Sequence, residues 1–149
     1  MNKNETWPVI GSMLILACLI LSGIRPYDRV TWVLEIFPVI LVLPLLWGTY
    51  RRFRLSSLLY FLIFLHALVL ILGGAYSYAR VPLGTFIAEL LGMNRNPYDK
   101  IGHFFQGLVP AIAAREILIR HGIVKRGKML FFLVICIVLA ISAAYELIE

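Results

Sequence analysis

The stretch LSSLLYFLIFLHALVLIL, residues 55–72, carries no formal charge, and only Ser56, Ser57 and His66 interrupt its apolar and aromatic side chains. Wound as an α-helix it is about 27 Å long, close to the thickness of a bilayer's hydrocarbon core, so it predicts a transmembrane span. Upstream, Arg51-Arg52-Phe53-Arg54 stops a second apolar run over 31–50 that contains Glu35, Pro38 and Pro44. A membrane helix tolerates such prolines where neighbouring helices satisfy the freed carbonyls. The turn Arg25-Pro26-Tyr27-Asp28-Arg29 separates that run from another over 7–24. One Lys precedes this first run, as in a signal peptide, but no small-x-small cleavage site follows before Arg25, so it predicts an uncleaved span.

Downstream, Gly73-Gly74 closes the 55–72 run and opens a long connection over 73–96. Within it Leu83, Phe86, Ile87, Leu90 and Leu91 recur at helical spacing. The pattern predicts a short amphipathic helix over 82–93 lying flat at the membrane surface, the plainer alternative being an apolar loop packed on the bundle. A fourth span over 97–119, the basic segment Arg120 to Lys128 and a fifth span over 129–149 complete the chain. The expected fold is all-α: a single membrane domain over 1–149, built as a polytopic transmembrane helical bundle of about five spans.

Composition agrees with this reading. Of 149 residues 61% are hydrophobic and 15% charged, and the mean hydropathy is +0.89. Soluble domains carry roughly a quarter charged residues, so a water-soluble globule is excluded. The net charge of +6 sits in short clusters between apolar runs, which is a topology signal and argues against nucleic acid as a partner. Cys18 and Cys136 both fall inside apolar runs and act as small hydrophobes.

Counting basic residues by side gives an orientation. Lys3, Arg51, Arg52, Arg54, Arg115, Arg120, Lys125, Arg126 and Lys128 fall on one side, and Arg25, Arg29, Arg80, Arg95 and Lys100 on the other. The more basic side is cytoplasmic, so the N-terminus is expected inside and the 73–96 connection outside a bacterial inner membrane. Arg115 then snorkels to the inner surface, and Tyr76, Tyr78 and Tyr98 form an aromatic belt at the outer one.

With that orientation the ionisable residues inside the spans gather near the outer end. Glu35 lies about one turn into its span and His66 one to two turns from the end of the next. Asp99, His103 and Gln106, at i, i+4 and i+7, share one helix face, while Glu146 and Glu149, at i and i+3, share another. Intramembrane ionisable groups are costly enough to mark function when they face one another. Asp99, His103 and Glu146 are therefore the candidate catalytic residues, and Glu35, His66, Gln106 and Glu149 the candidate ligand-binding residues. Pro110, four residues after Gln106, cannot donate to that residue's carbonyl and leaves it as a further acceptor.

Each candidate also has a plainer reading. Asn96-Pro97-Tyr98-Asp99 reads as a helix start with Asn96 as N-cap, where Asp99 complements the helix dipole. His66 suits a core histidine bonded to a neighbour, Glu35 a neutraliser of Arg25 or Arg29, and Glu149 a solvated chain end. His103 with Glu146 is the combination hardest to assign to packing. His121 sits in the basic loop and is assigned no role, and the chain holds no Gly-rich phosphate loop, His-Glu-x-x-His, Gly-x-Ser-x-Gly or Cys-x-x-Cys motif.

The run Asn96 to Gly107, NPYDKIGHFFQG, and the later run Ser142 to Glu149, SAAYELIE, resemble the YjdF-type inner-membrane proteins of enterobacteria over the whole chain. The resemblance implies a multi-pass inner-membrane protein and says little about chemistry. In that pattern the acidic end of the fifth span is followed by aromatic residues, an acidic outer segment and a further span, so the chain is expected to be truncated before a sixth span. Asp99, Lys100, His103 and Phe104 also resemble a short motif of VanZ-like proteins, which are linked to glycopeptide-antibiotic tolerance.

The leading expectation is an outward-facing polar pocket that binds a lipid-linked envelope precursor or a cation, with membrane lipids around it. Hydrolysis or group transfer on such a lipid would be the enzymatic version. The alternatives are a proton-coupled transporter and a non-catalytic membrane assembly or stress-response protein. Sequence leaves the cofactor and any metal unassigned.

Overall fold

A computed structural model describes the backbone of residues 3–148 and the side chains of residues 6–148, and six helices account for most of them. They are α1 (Lys3–Ile24), α2 (Arg29–Thr49), α3 (Ser57–Tyr76), α4 (Pro82–Leu90), α5 (Tyr98–Arg120) and α6 (Lys128–Glu146). No strand occurs among the described residues. The described chain falls into two compact units, 1–102 and 103–149, each treated by itself below.

Helix starts follow from local chemistry. Asp28 caps α2, its side chain accepting from the Thr31 N–H at 2.7 Å. That hydrogen bond holds the Asp28 carboxyl below its ordinary range. The cap is therefore ionised at neutral pH, and its contribution is lost only as pH falls through the depressed value. Ser56 caps α3 by accepting from the Leu59 N–H at 3.3 Å. Pro8, Pro38, Pro44 and Pro110 all lie inside helices, and the first three fall in candidate membrane spans, where such prolines are tolerated.

In the first unit α1, α2 and α3 pack together around Ile15, Ile36, Val39, Ala67, Leu70 and Ile71. Trp32 Nε1 donates to Ser22 Oγ at 3.0 Å and ties α2 to α1. The Tyr27 N–H donates to the Ala75 carbonyl at 3.0 Å and ties the α1–α2 turn to the end of α3. Outside this core large apolar side chains face outward, among them Ile20, Leu21, Val30 and, in the second unit, Phe131 and Leu139, each more than 60% exposed. Water would penalise such a surface heavily, whereas lipid does not. Thr6–Ile24, Arg29–Thr49, Ser57–Tyr76 and Lys128–Glu146 are long and apolar enough to cross a membrane. The chain is a helical, multi-pass membrane protein.

Two boundaries differ from the sequence reading in ways that matter. α3 does not stop at residue 72 but runs through Gly73 and Gly74 to Tyr76. The glycine pair marks close packing there, not a break. A Cβ on Gly74 would stand 3.0 Å from the Glu35 Cβ, and one on Gly73 would run into the Tyr78 ring. The stop comes instead from Ser77 and Tyr78, both left-handed at φ 55° and 41°. α4 is shorter than the 82–93 expected, ending at Leu90 before Gly92, whose φ is 62°.

Candidate functional site

In the first unit the polar centre is built around Glu35. It is 2% exposed and is the sole charged residue among the buried ones described. Tyr78 Oη donates to Glu35 Oε2 at 2.9 Å. Reaching that position requires the chain to reverse at the end of α3, which the two left-handed residues accomplish while the Tyr78 N–H donates to the Gly73 carbonyl at 2.9 Å. Each such residue costs on the order of 1–3 kcal/mol, so the surrounding contacts must over-determine the turn.

Those contacts are visible. The Tyr78 ring lies over Gly73 and against Gly102, where added Cβ atoms would collide with it. It packs on Tyr98 with ring centroids 5.8 Å apart and planes at 55°. Tyr98 is itself 1% exposed and its hydroxyl donates to the Val69 carbonyl at 3.2 Å. The expected outer belt of Tyr76, Tyr78 and Tyr98 is thus corrected. Tyr76 is exposed, whereas Tyr98 is core and Tyr78 is the hydrogen-bond donor to an intramembrane carboxylate. The glycines at 73 and 102 were the sequence signal for this slot, since a ring needs such a notch to approach a helix backbone.

His66 is not level with Glu35. Glu35 is level with Gly74, and His66 lies eight residues earlier on α3, about 12 Å along the axis. The sequence reading brought them level only because it ended α3 four residues too soon. Asp99 is exposed in the first turn of α5, a position that suits the positive end of the helix dipole. Asn96 Oδ1 accepts from the Tyr98 N–H at 2.9 Å and starts that helix.

In the second unit α5 and α6 bring together the pair that spacing singled out. His103 Nδ1 stands 3.9 Å from Glu146 Oε1, with the two side chains 54% and 57% exposed. The separation is that of an ion pair and longer than a hydrogen bond, so a ligand atom has room to meet both groups. Gln106, one turn further along α5, has its Nε2 buried without a hydrogen-bond partner among the described residues. A buried amide donor in that state is costly and calls for an acceptor. At the other end of α5, Arg120 pairs with Glu116 at 2.7 Å, and Arg115 is exposed.

Glu149 lies outside the described residues. Among those described, no group of three or more His, Cys, Asp or Glu side chains could hold a metal ion. A cation at this pair would find two protein ligands, fewer than a dedicated zinc site provides.

Fold and site together define a polytopic helical membrane protein with polar groups set into its apolar surface. Residues 8–149 match the family described as "Predicted membrane protein (DUF2238)", and the chain belongs to that family. It is similar to the Inner membrane protein YjdF of Escherichia coli (strain K12), with 60% identity over 131 residues, 88% of this chain and 63% of that protein. The chain thus spans less than two thirds of that relative's length. No solved structure matches it.

Proposed function

We propose that the protein resides in a bacterial inner membrane and binds the polar head of a lipid-linked envelope precursor at His103 and Glu146. The observation carrying this reading is the 3.9 Å approach of an imidazole and a carboxylate from two helices, both accessible from outside the chain. A carboxylate accepts sugar hydroxyls, an imidazolium meets phosphate, and the Gln106 amide adds a donor. A lipid-anchored ligand would reach such a pair laterally through the bilayer. The short likeness to VanZ-like proteins around His103 points the same way.

Binding of a polyprenyl-phosphate-linked sugar to the purified protein in lipid nanodiscs, followed by native mass spectrometry, tests the reading. His103→Ala and Glu146→Ala should each weaken retention about 10- to 100-fold, the loss of one charge-assisted hydrogen bond. Retention equal to that of the unaltered protein in both variants would end it. A flux of protons dependent on His103 in sealed vesicles would favour the transporter alternative instead.

The proposed orientation has the N-terminus in the cytoplasm, with α5 crossing the membrane although its polar ends make it less apolar than the other four long helices. If α5 instead lay along the surface, the same basic-loop rule would move Arg51, Arg52 and Arg54 outside while leaving Arg120 to Lys128 within. The 51–54 loop therefore decides. In a Cys18→Ser, Cys136→Ser background, Arg52→Cys and Lys125→Cys should both resist a membrane-impermeant maleimide in intact cells and react after permeabilisation. Labelling of the position-52 variant in intact cells would overturn the five-span topology.

A further inference from the structure

α4 presents three different faces. At about 100° per residue, Gly84 and Ala88 point one way, Thr85 and Glu89 a second, and Leu83, Phe86 and Leu90 a third. The small-residue face is seated: Gly84 and Ala88 are buried, and a Cβ on Gly84 would collide with the Asn96 side chain and come within 2.8 Å of the Tyr98 Cβ. Asn96 fastens this seat by donating from Nδ2 to the Val81 and Ala79 carbonyls at 3.0 and 3.2 Å. Both other faces are exposed, one polar and one apolar, and their centres stand about 110° apart around the helix axis. Leu83, Phe86, Leu90 and Leu91 are 53%, 62%, 73% and 65% exposed.

We infer that α4 is an interfacial helix, held rigidly by Asn96, that sinks its Leu83/Phe86/Leu90 face into an anionic phospholipid surface while Thr85 and Glu89 face water. Three observations favour a bilayer over a protein as the occupant. A helix that exposes an apolar face and a separate polar face fits a plane between oil and water. Only five residues separate α4 from the end of α3, a candidate membrane span, so it starts at the level where that span leaves the hydrocarbon. Exposed arginines flank it: Arg95 follows its end, and Arg80 precedes its start with the guanidinium 3.9 Å from the Tyr27 ring centroid. Cations so placed complement lipid phosphates.

Spin labels on the full chain test this in nanodiscs containing phosphatidylglycerol, again with Cys18 and Cys136 replaced by Ser. Labels at Phe86→Cys and Leu90→Cys should collide readily with oxygen and poorly with a water-soluble nickel chelate, and labels at Thr85→Cys and Glu89→Cys the reverse. Ready nickel access at all four positions would place the helix in water, and low access to both reagents at 86 and 90 would indicate a protein cover. Either result overturns the inference. Moving to phosphatidylcholine, or combining Arg80→Ala with Arg95→Ala, should make the position-86 label shallower; unchanged depth in both would refute the contact with anionic lipid.

Discussion

Replacing Tyr98 with alanine is expected to cost about 3–5 kcal/mol, the range for truncating a large buried aromatic, and to be among the most damaging single changes in the first unit. The side chain is 1% exposed, its ring supports Tyr78, and its hydroxyl holds the Val69 carbonyl. Its loss removes the wall against which the Tyr78 slot is built. Tyr98→Phe keeps the ring and gives up one hydrogen bond, so it should cost about 1 kcal/mol. Reversible unfolding in mixed micelles, read by circular dichroism, separates the two. Equal losses for both variants would assign the effect to the hydroxyl and contradict the packing argument.

How far sequence carried this picture depends on the scale of the signal. Runs such as 55–72 are long and uncharged, and burial in lipid is a property of whole segments, so the existence and order of the helices were legible while their ends moved by up to four residues. α2 was expected over 31–50 and occupies Arg29–Thr49; α5 was expected over 97–119 and occupies Tyr98–Arg120. The pair His103 and Glu146 was legible because antiparallel neighbours with polar ends align by length alone. Periodicity cannot register a chain reversal. The left-handed Ser77 and Tyr78 turn a tyrosine that reads as interfacial into the partner of Glu35, and nothing in their identities announces it, since neither is Gly or Asn. The same blindness ended α3 at Gly73, where glycine served packing and not termination, and so raised His66 to a level it does not occupy.

The turn at Ser77 and Tyr78 leads to the second large effect, a coupling between Glu35 and Tyr78. Tyr78→Phe removes the hydroxyl that donates to a carboxylate 2% exposed in the helix core, and should cost about 1–3 kcal/mol, the range for leaving such a group short of a partner. Glu35→Leu removes the acceptor as well as the polar burden, and replacing buried polar groups by apolar ones of similar size is often nearly neutral. In the Glu35→Leu background Tyr78→Phe should therefore cost far less than it does alone. The difference between the two costs is the coupling energy, expected at about 1–2 kcal/mol for groups in direct contact. If Tyr78→Phe were equally costly in both backgrounds, the hydroxyl would matter for some reason other than Glu35. A positive coupling explains why two non-glycine residues are held left-handed: the turn is stabilised by the one donor it delivers to a carboxylate inside the membrane.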